Sequence, residues 1–144
     1  MFTISLSLSA ICAEILAESA LRHHLQPSTP APLTSDSTDA LRTLITAAFA
    51  SICTDLGPLA VSADISSDGE LLQLTIDGNP QSAQQLRLAI EHLLALRVMT
   101  RAYASADSSL AASLSSSAAS LLRSLAATIS SSAPDIPVIT PRFY

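Results

Sequence analysis

Lysine and tryptophan are absent from this 144-residue chain, glycine occurs three times and cysteine twice. So few glycines leave no loop able to cradle a phosphate, and no serine sits in a G-x-S-x-G turn. Charged residues make up 13% of the chain, about half of the roughly 25% usual for a globular domain, and aromatics only 3%. All seven basic residues are arginine, set against twelve acids, for a net charge of -5. That balance argues against phosphate-backbone binding as the main task, because such binding relies on clustered Lys and Arg releasing counterions. No run of eighteen or more strongly apolar residues is expected to span a membrane; the least charged stretch, 102–122, is mostly Ser and Ala. The opening MFTISLSLSAICA lacks a basic flank and runs into Glu14 and Glu18, so it reads as mature structure rather than a signal peptide.

What is present is Ala and Leu on the apolar side and Ser and Thr on the polar side, with 49% hydrophobic residues overall. The length suits one domain that buries a core without metals or disulfides. Cys12 and Cys53, 41 residues apart in apolar helical segments, read as small buried thiols.

Phe2, Ile4, Leu6 and Leu8 alternate with Thr3, Ser5 and Ser7, the period of a strand with one buried face. From Ser9 the period becomes helical, with Ile11, Cys12, Ile15, Leu16 and Leu21 assigned to one face of a helix over about 9–24. Arg22, His23 and His24 suit its negative C-terminal end. The segment QPSTPAPLTSD is an extended connection, and Thr34, Ser35 or Asp36 can cap a second helix. That helix runs to about Leu56 with Leu41, Leu44, Ile45, Ala48, Phe49, Ile52 and Cys53 as its stripe, and Gly57-Pro58 stops it.

Residues 59–77 form two alternating runs around Ser67-Asp68-Gly69, where Asp-Gly favours the positive φ angles of a hairpin. An isolated hairpin is marginal in water, and residues 2–8 are the local candidate for a third strand. Asn79 caps and Pro80 opens the next helix, whose Leu86, Leu88, Ile90, Leu93, Leu94, Leu96, Val98 and Met99 cover most of its circumference. Such a helix is central in the fold or sandwiched between subunits. Asp107 or Ser108 caps a last helix to about Ile129, with Leu110, Leu114, Ala118, Leu121, Leu122, Leu125 and Ile129 on one side. Its other side is serine (113, 115, 116, 117, 120 and 124) with Arg123 as the one charge, a face suited to close packing on another protein.

The expected fold is therefore α+β and predominantly α: four helices, with a long helical hairpin in the C-terminal half, plus a small β-hairpin. One helical domain covers 1–135, and 136–144 is an extended C-terminal arm. Its prolines forbid helix, while Val138, Ile139, Arg142, Phe143 and Tyr144 are candidate partner contacts.

Chemistry-bearing residues are sparse. His23 and His24 lie about 100° apart on a helix and do not face one ion. His92 follows Glu91 with no further ligand at helical spacing and reads as a core-edge or interface histidine. Arg97 and Arg101 continue the side begun by Arg87 and Glu91, either as an interfacial ion-pair row or as a solvated stripe. No cofactor and no metal is expected.

The order of SLSAICAEILAESAL, LTSDSTDALRTLITAAF, DGELLQLTID, SAQQLRLAIEHLLALRVMTRAYA and the Ser-Ala-Leu helix resembles a group of small virion proteins of tailed phages and prophages of gut Bacteroidota. The chain departs from that group in carrying Leu, Ala and Ser where the long helix of its members has Lys and aromatics. The resemblance implies a non-enzymatic ring component at the neck or tail of a virion: a head-tail connector, a tail completion protein or another ring part. It implies contacts with copies of itself and with portal, neck or tail subunits, without sequence-specific nucleic acid binding or a membrane, and assembly in the host bacterial cytoplasm. A different class, a small cytoplasmic helical binding or regulatory protein, fits the same composition.

Overall fold

The computed structural model describes residues 2–28, 33–77 and 83–131. The alternating N-terminus forms β1 (Phe2–Ser7), which runs without a loop into α1 (Leu8–Leu25). Ser7 makes the change possible: its hydroxyl oxygen accepts from the Ala10 N–H at 3.4 Å, while the Leu8 N–H still donates to the Glu70 carbonyl at 2.9 Å. The last bond of the sheet and the first cap of the helix thus fall on adjacent residues.

The other strands are β2 (Ala60–Ile65) and β3 (Leu71–Ile76), and the antiparallel order is β1-β3-β2. The expected third strand is therefore present, with β3 in the middle. Ile4 faces Leu74 and Leu6 faces Leu72 in register, and all four are buried. The opposite face carries Thr3, Ser5, Gln73 and Thr75, with the Thr3 and Thr75 hydroxyls 3.1 Å apart. In the turn only Gly69 takes a positive φ, 76°, so Asp68 does not share the positive-φ conformation expected of the pair. Asp68 instead uses its carboxylate, accepting from the Ser66 hydroxyl and, at 3.1 Å, from the Glu70 N–H. Those two bonds hold its pKa below the usual carboxylate value.

Helix α2 (Thr38–Leu56) buries Leu41, Ile45, Ala48, Phe49, Ile52 and Leu56, with Leu44 and Cys53 at the flanks. It is preceded by a 3-10 turn, Ser35–Ser37, in which the Thr34 carbonyl accepts from the Ser37 N–H at 2.9 Å. Ser37, the residue before the helix, makes no side-chain cap bond of its own, and the 3-10 turn begins at Ser35, within the segment where the start signal was expected. Gly57, at φ 58°, ends the helix as expected. By length and composition Thr38–Leu59, of mean hydropathy 1.2, could cross a membrane, although no such run is expected from the sequence. Its large apolar residues are the ones turned into the core, and its Arg42 and Asp55 form ion pairs with Glu70 and Arg97.

Helix α3 (Ala83–Tyr103) is the centre of the molecule: Ile90, Leu93, Leu94, Ala95, Val98 and Met99 have no exposed surface, and α1, α2, β1 and α4 (Ser108–Ser131) all pack against it. Leu88, assigned to its apolar surface, is instead 51% exposed. Asp107 caps α4, its carboxylate accepting from the Leu110 N–H at 3.1 Å. In α1 the buried residues are Leu8, Ile11, Cys12, Ile15 and Ser19, whereas Leu21 is 56% exposed. At 100° per residue Leu21 falls about 120° from the stripe centred on Ile15, which corrects its assignment to the core. The Asn79-Pro80 start and the 136–144 arm lie outside the described residues.

Candidate functional site

Arg97 and Arg101, one turn apart on α3, line a groove of about 470 Å³ between α2, α3 and α4. Its walls are small: Ala47, Ala48 and Ser51 from α2, and Ser115, Ala118 and Ala119 from α4. Small residues one turn apart recur on both walls because the Ala/Ser-rich helices place them at i, i+4. Arg123 and Leu122 complete the α4 side, and among the described residues no acidic side chain lines the groove.

Arg97 is fixed rather than free. Its guanidinium donates to the Ser51 hydroxyl at 2.7 Å and to the Asp55 carboxylate at 2.5 Å, both on α2, so its ion pair lies inside the chain. Arg87, expected in the same row, instead lies beside β1 with Phe2, Ile4 and Gln84. The row is thus split: its lower end serves the sheet edge and its upper end the groove. Arg101 has no carboxylate within ion-pair distance among the described residues, and Arg123 has only a 3.4 Å contact to Ser120. Arg123 is not among the partner contacts expected from the sequence, although its isolation as the one charge on a serine face is a signal for it. Val138, Ile139, Arg142, Phe143 and Tyr144 lie outside the described residues.

Elsewhere polar groups join distant segments. Glu70 accepts from the Arg42 guanidinium and, at 2.7 Å, from the Ser9 hydroxyl, tying the hairpin turn to α2 and α1. The arginine first, and then the serine, hold the Glu70 carboxyl below its usual pKa, and Glu70 in turn raises that of Arg42. Burial pushes both thiols, Cys12 and Cys53, upward, as suits inert apolar cysteines. The buried Ser19 hydroxyl lies 2.5 Å from the Tyr103 hydroxyl and accepts from the Leu33 N–H at 2.8 Å.

His92 is exposed on the seam between α3 and α1, with Nδ1 3.3 Å from a Glu14 carboxylate oxygen. Glu18, one turn further along α1, brings a second carboxylate to the same place. Helical spacing offers His92 no second ligand, as expected; both glutamates reach it by a tertiary contact from more than seventy positions away in sequence. Comparison with protein-family models, with curated proteins and with solved structures returns no match for this chain.

Proposed function

We propose that this chain is a non-enzymatic structural subunit that associates with copies of itself through the groove between α2, α3 and α4. The observation that carries the reading is the groove's combination of small walls and a basic rim in a chain of net charge -5. Small side chains permit close backbone approach, and the Arg101 and Arg123 guanidiniums, which meet no carboxylate within ion-pair distance among the described residues, favour an acidic surface. With twelve acids against seven arginines, the rest of the same chain is net acidic. A basic groove meeting a different, acidic patch is a head-to-tail contact, and such contacts form rings when the rotation closes.

The setting that the resemblance implies is the neck or tail of a phage-like particle, with portal, neck or tail subunits as further neighbours. Copurification with assembled particles tests that setting separately from self-association. For self-association, light scattering across a concentration series is expected to give a discrete multimer, which the double variant Arg101→Glu/Arg123→Glu dissolves while keeping its helical content. A wild-type monomer at every concentration overturns self-assembly. It would leave the groove to the second reading, a small cytoplasmic helical binding or regulatory protein whose partner presents the acidic face.

A further inference from the structure

We propose that Glu14, Glu18 and His92 form a site for one transition-metal cation of the zinc type. The site bridges α1 and α3, on residues the proposed assembly groove does not use. Glu14 and Glu18 are one turn apart and share a face of α1, and the packing of α1 on α3 sets His92 against them. One donor atom from each lies within 4.8 Å of the other two.

The spacing is close to that of a coordination shell. Zinc bonds of about 2.05 Å in tetrahedral geometry place neighbouring donor atoms about 3.3 Å apart. His92 Nδ1 and the Glu14 oxygen already stand at 3.3 Å. Glu18, whose donor atom lies within 4.8 Å of the other two, has only to swing its carboxylate inward, exchanging its 3.2 Å pair with Arg22 for the metal. His92 and Glu14 are 46% and 36% exposed in their side chains, which leaves an open direction for a fourth ligand from water.

The donor types select the class of ion. An imidazole nitrogen with two carboxylates and no thiolate suits zinc, cobalt or manganese. Calcium requires six to eight oxygens, and magnesium keeps most of its water, so neither matches three donors of which one is nitrogen. An ion there would place positive charge between the two carboxylates, of which Glu18 pairs with Arg22 and Glu14 with His92. Because the ligands come from both helices, a bound ion would cross-link α1 to α3 and stabilise the native state by linkage.

Titration of the full-length protein with zinc chloride in a calorimeter tests this, with thermal denaturation in zinc and in magnesium alongside. One equivalent of zinc should bind and raise Tm, and magnesium should leave Tm unchanged. His92→Ala and Glu14→Gln should each weaken zinc binding at least about tenfold, since loss of even an outer-shell partner costs that much. His23→Ala/His24→Ala should bind as wild type does. No stoichiometric zinc binding overturns the proposal, as does binding that survives both site variants or disappears with His23 and His24. All these side chains are at least partly exposed, so the variants should keep the wild-type far-UV spectrum.

Discussion

Ser19 is the residue on which the polar interior turns. It is 1% exposed, yet one hydroxyl serves both the Tyr103 hydroxyl and the Leu33 amide. Ser19→Ala takes the partner from two groups at once, the buried Tyr103 hydroxyl and the Leu33 amide, and should cost about 1–3 kcal/mol in urea denaturation. Tyr103→Phe removes one partner and leaves Ser19 its bond to Leu33, so it should cost less. Equal stabilities for Ser19→Ala and wild type would show that the pair carries no weight. Glu70 gives the acid dependence. Its folded pKa lies below the usual 4.5, so the stability from Arg42 and Ser9 is present above about pH 4.5 and is lost as pH falls through the lowered value. Glu70→Gln should therefore be less stable than wild type at neutral pH, with the gap closing toward about pH 2. A gap that widened on acidification would contradict the assignment.

Among the elements, the α2 terminus and the sheet edge differ most in how tightly they are specified. Gly57 has φ 58° and ψ -127°, a conformation L side chains rarely adopt, and a Cβ there would meet nothing within 4 Å. Gly57→Ala should thus destabilise through backbone strain alone, by about 1–3 kcal/mol in thermal or urea unfolding. A neutral result would mean that the loop relaxes at no cost. Strand β2 is held mainly by its ladder with β3: only Ala60, at its start, is half-buried against the core, whereas Ala63 and Ile65 face the same way as the buried Leu74 and Leu72 but remain exposed. The bulge between Ala60 and Ser62 and the acid at Asp64 are devices that discourage edge-to-edge pairing.

For the whole molecule, the central position of α3 separates folding from association. Apart from Leu88, its large apolar residues are taken up by α1, α2, α4 and the sheet, so the apolar helix does not require a partner subunit to explain it. The serine face of α4, in contrast, is exposed throughout: Ser113, Ser115, Ser116, Ser117, Ser120 and Ser124 all face outward. If the 136–144 arm and the groove both serve assembly, deleting residues 136–144 should reduce the multimer seen by light scattering while leaving the unfolding midpoint of the domain unchanged. Raising salt from about 0.05 to 0.5 M should weaken the multimer through screening of the arginine rim. A multimer indifferent to both treatments would remove the arm and the rim from the account of assembly.

The sequence by itself determined the elements. Period-two and helical periodicities marked β1, the hairpin and all four helices, Gly57 and Asp107 marked an end and a start, and the near-continuous apolar surface of α3 marked the centre. These features are local, arising from backbone geometry and nearest-neighbour chemistry. It missed the exposure of Leu21 and Leu88, because periodicity names a stripe without fixing how far the neighbouring elements extend over it. Arg97 and Arg101 were recognisable as a pair, but that they meet Arg123 across a groove depends on how α4 folds back on α3. Likewise only the tertiary structure could set Glu14 and Glu18 beside His92, or Ser19 beside Tyr103. Contacts between residues seventy or more positions apart leave no trace in local pattern and are decided when the helices pack.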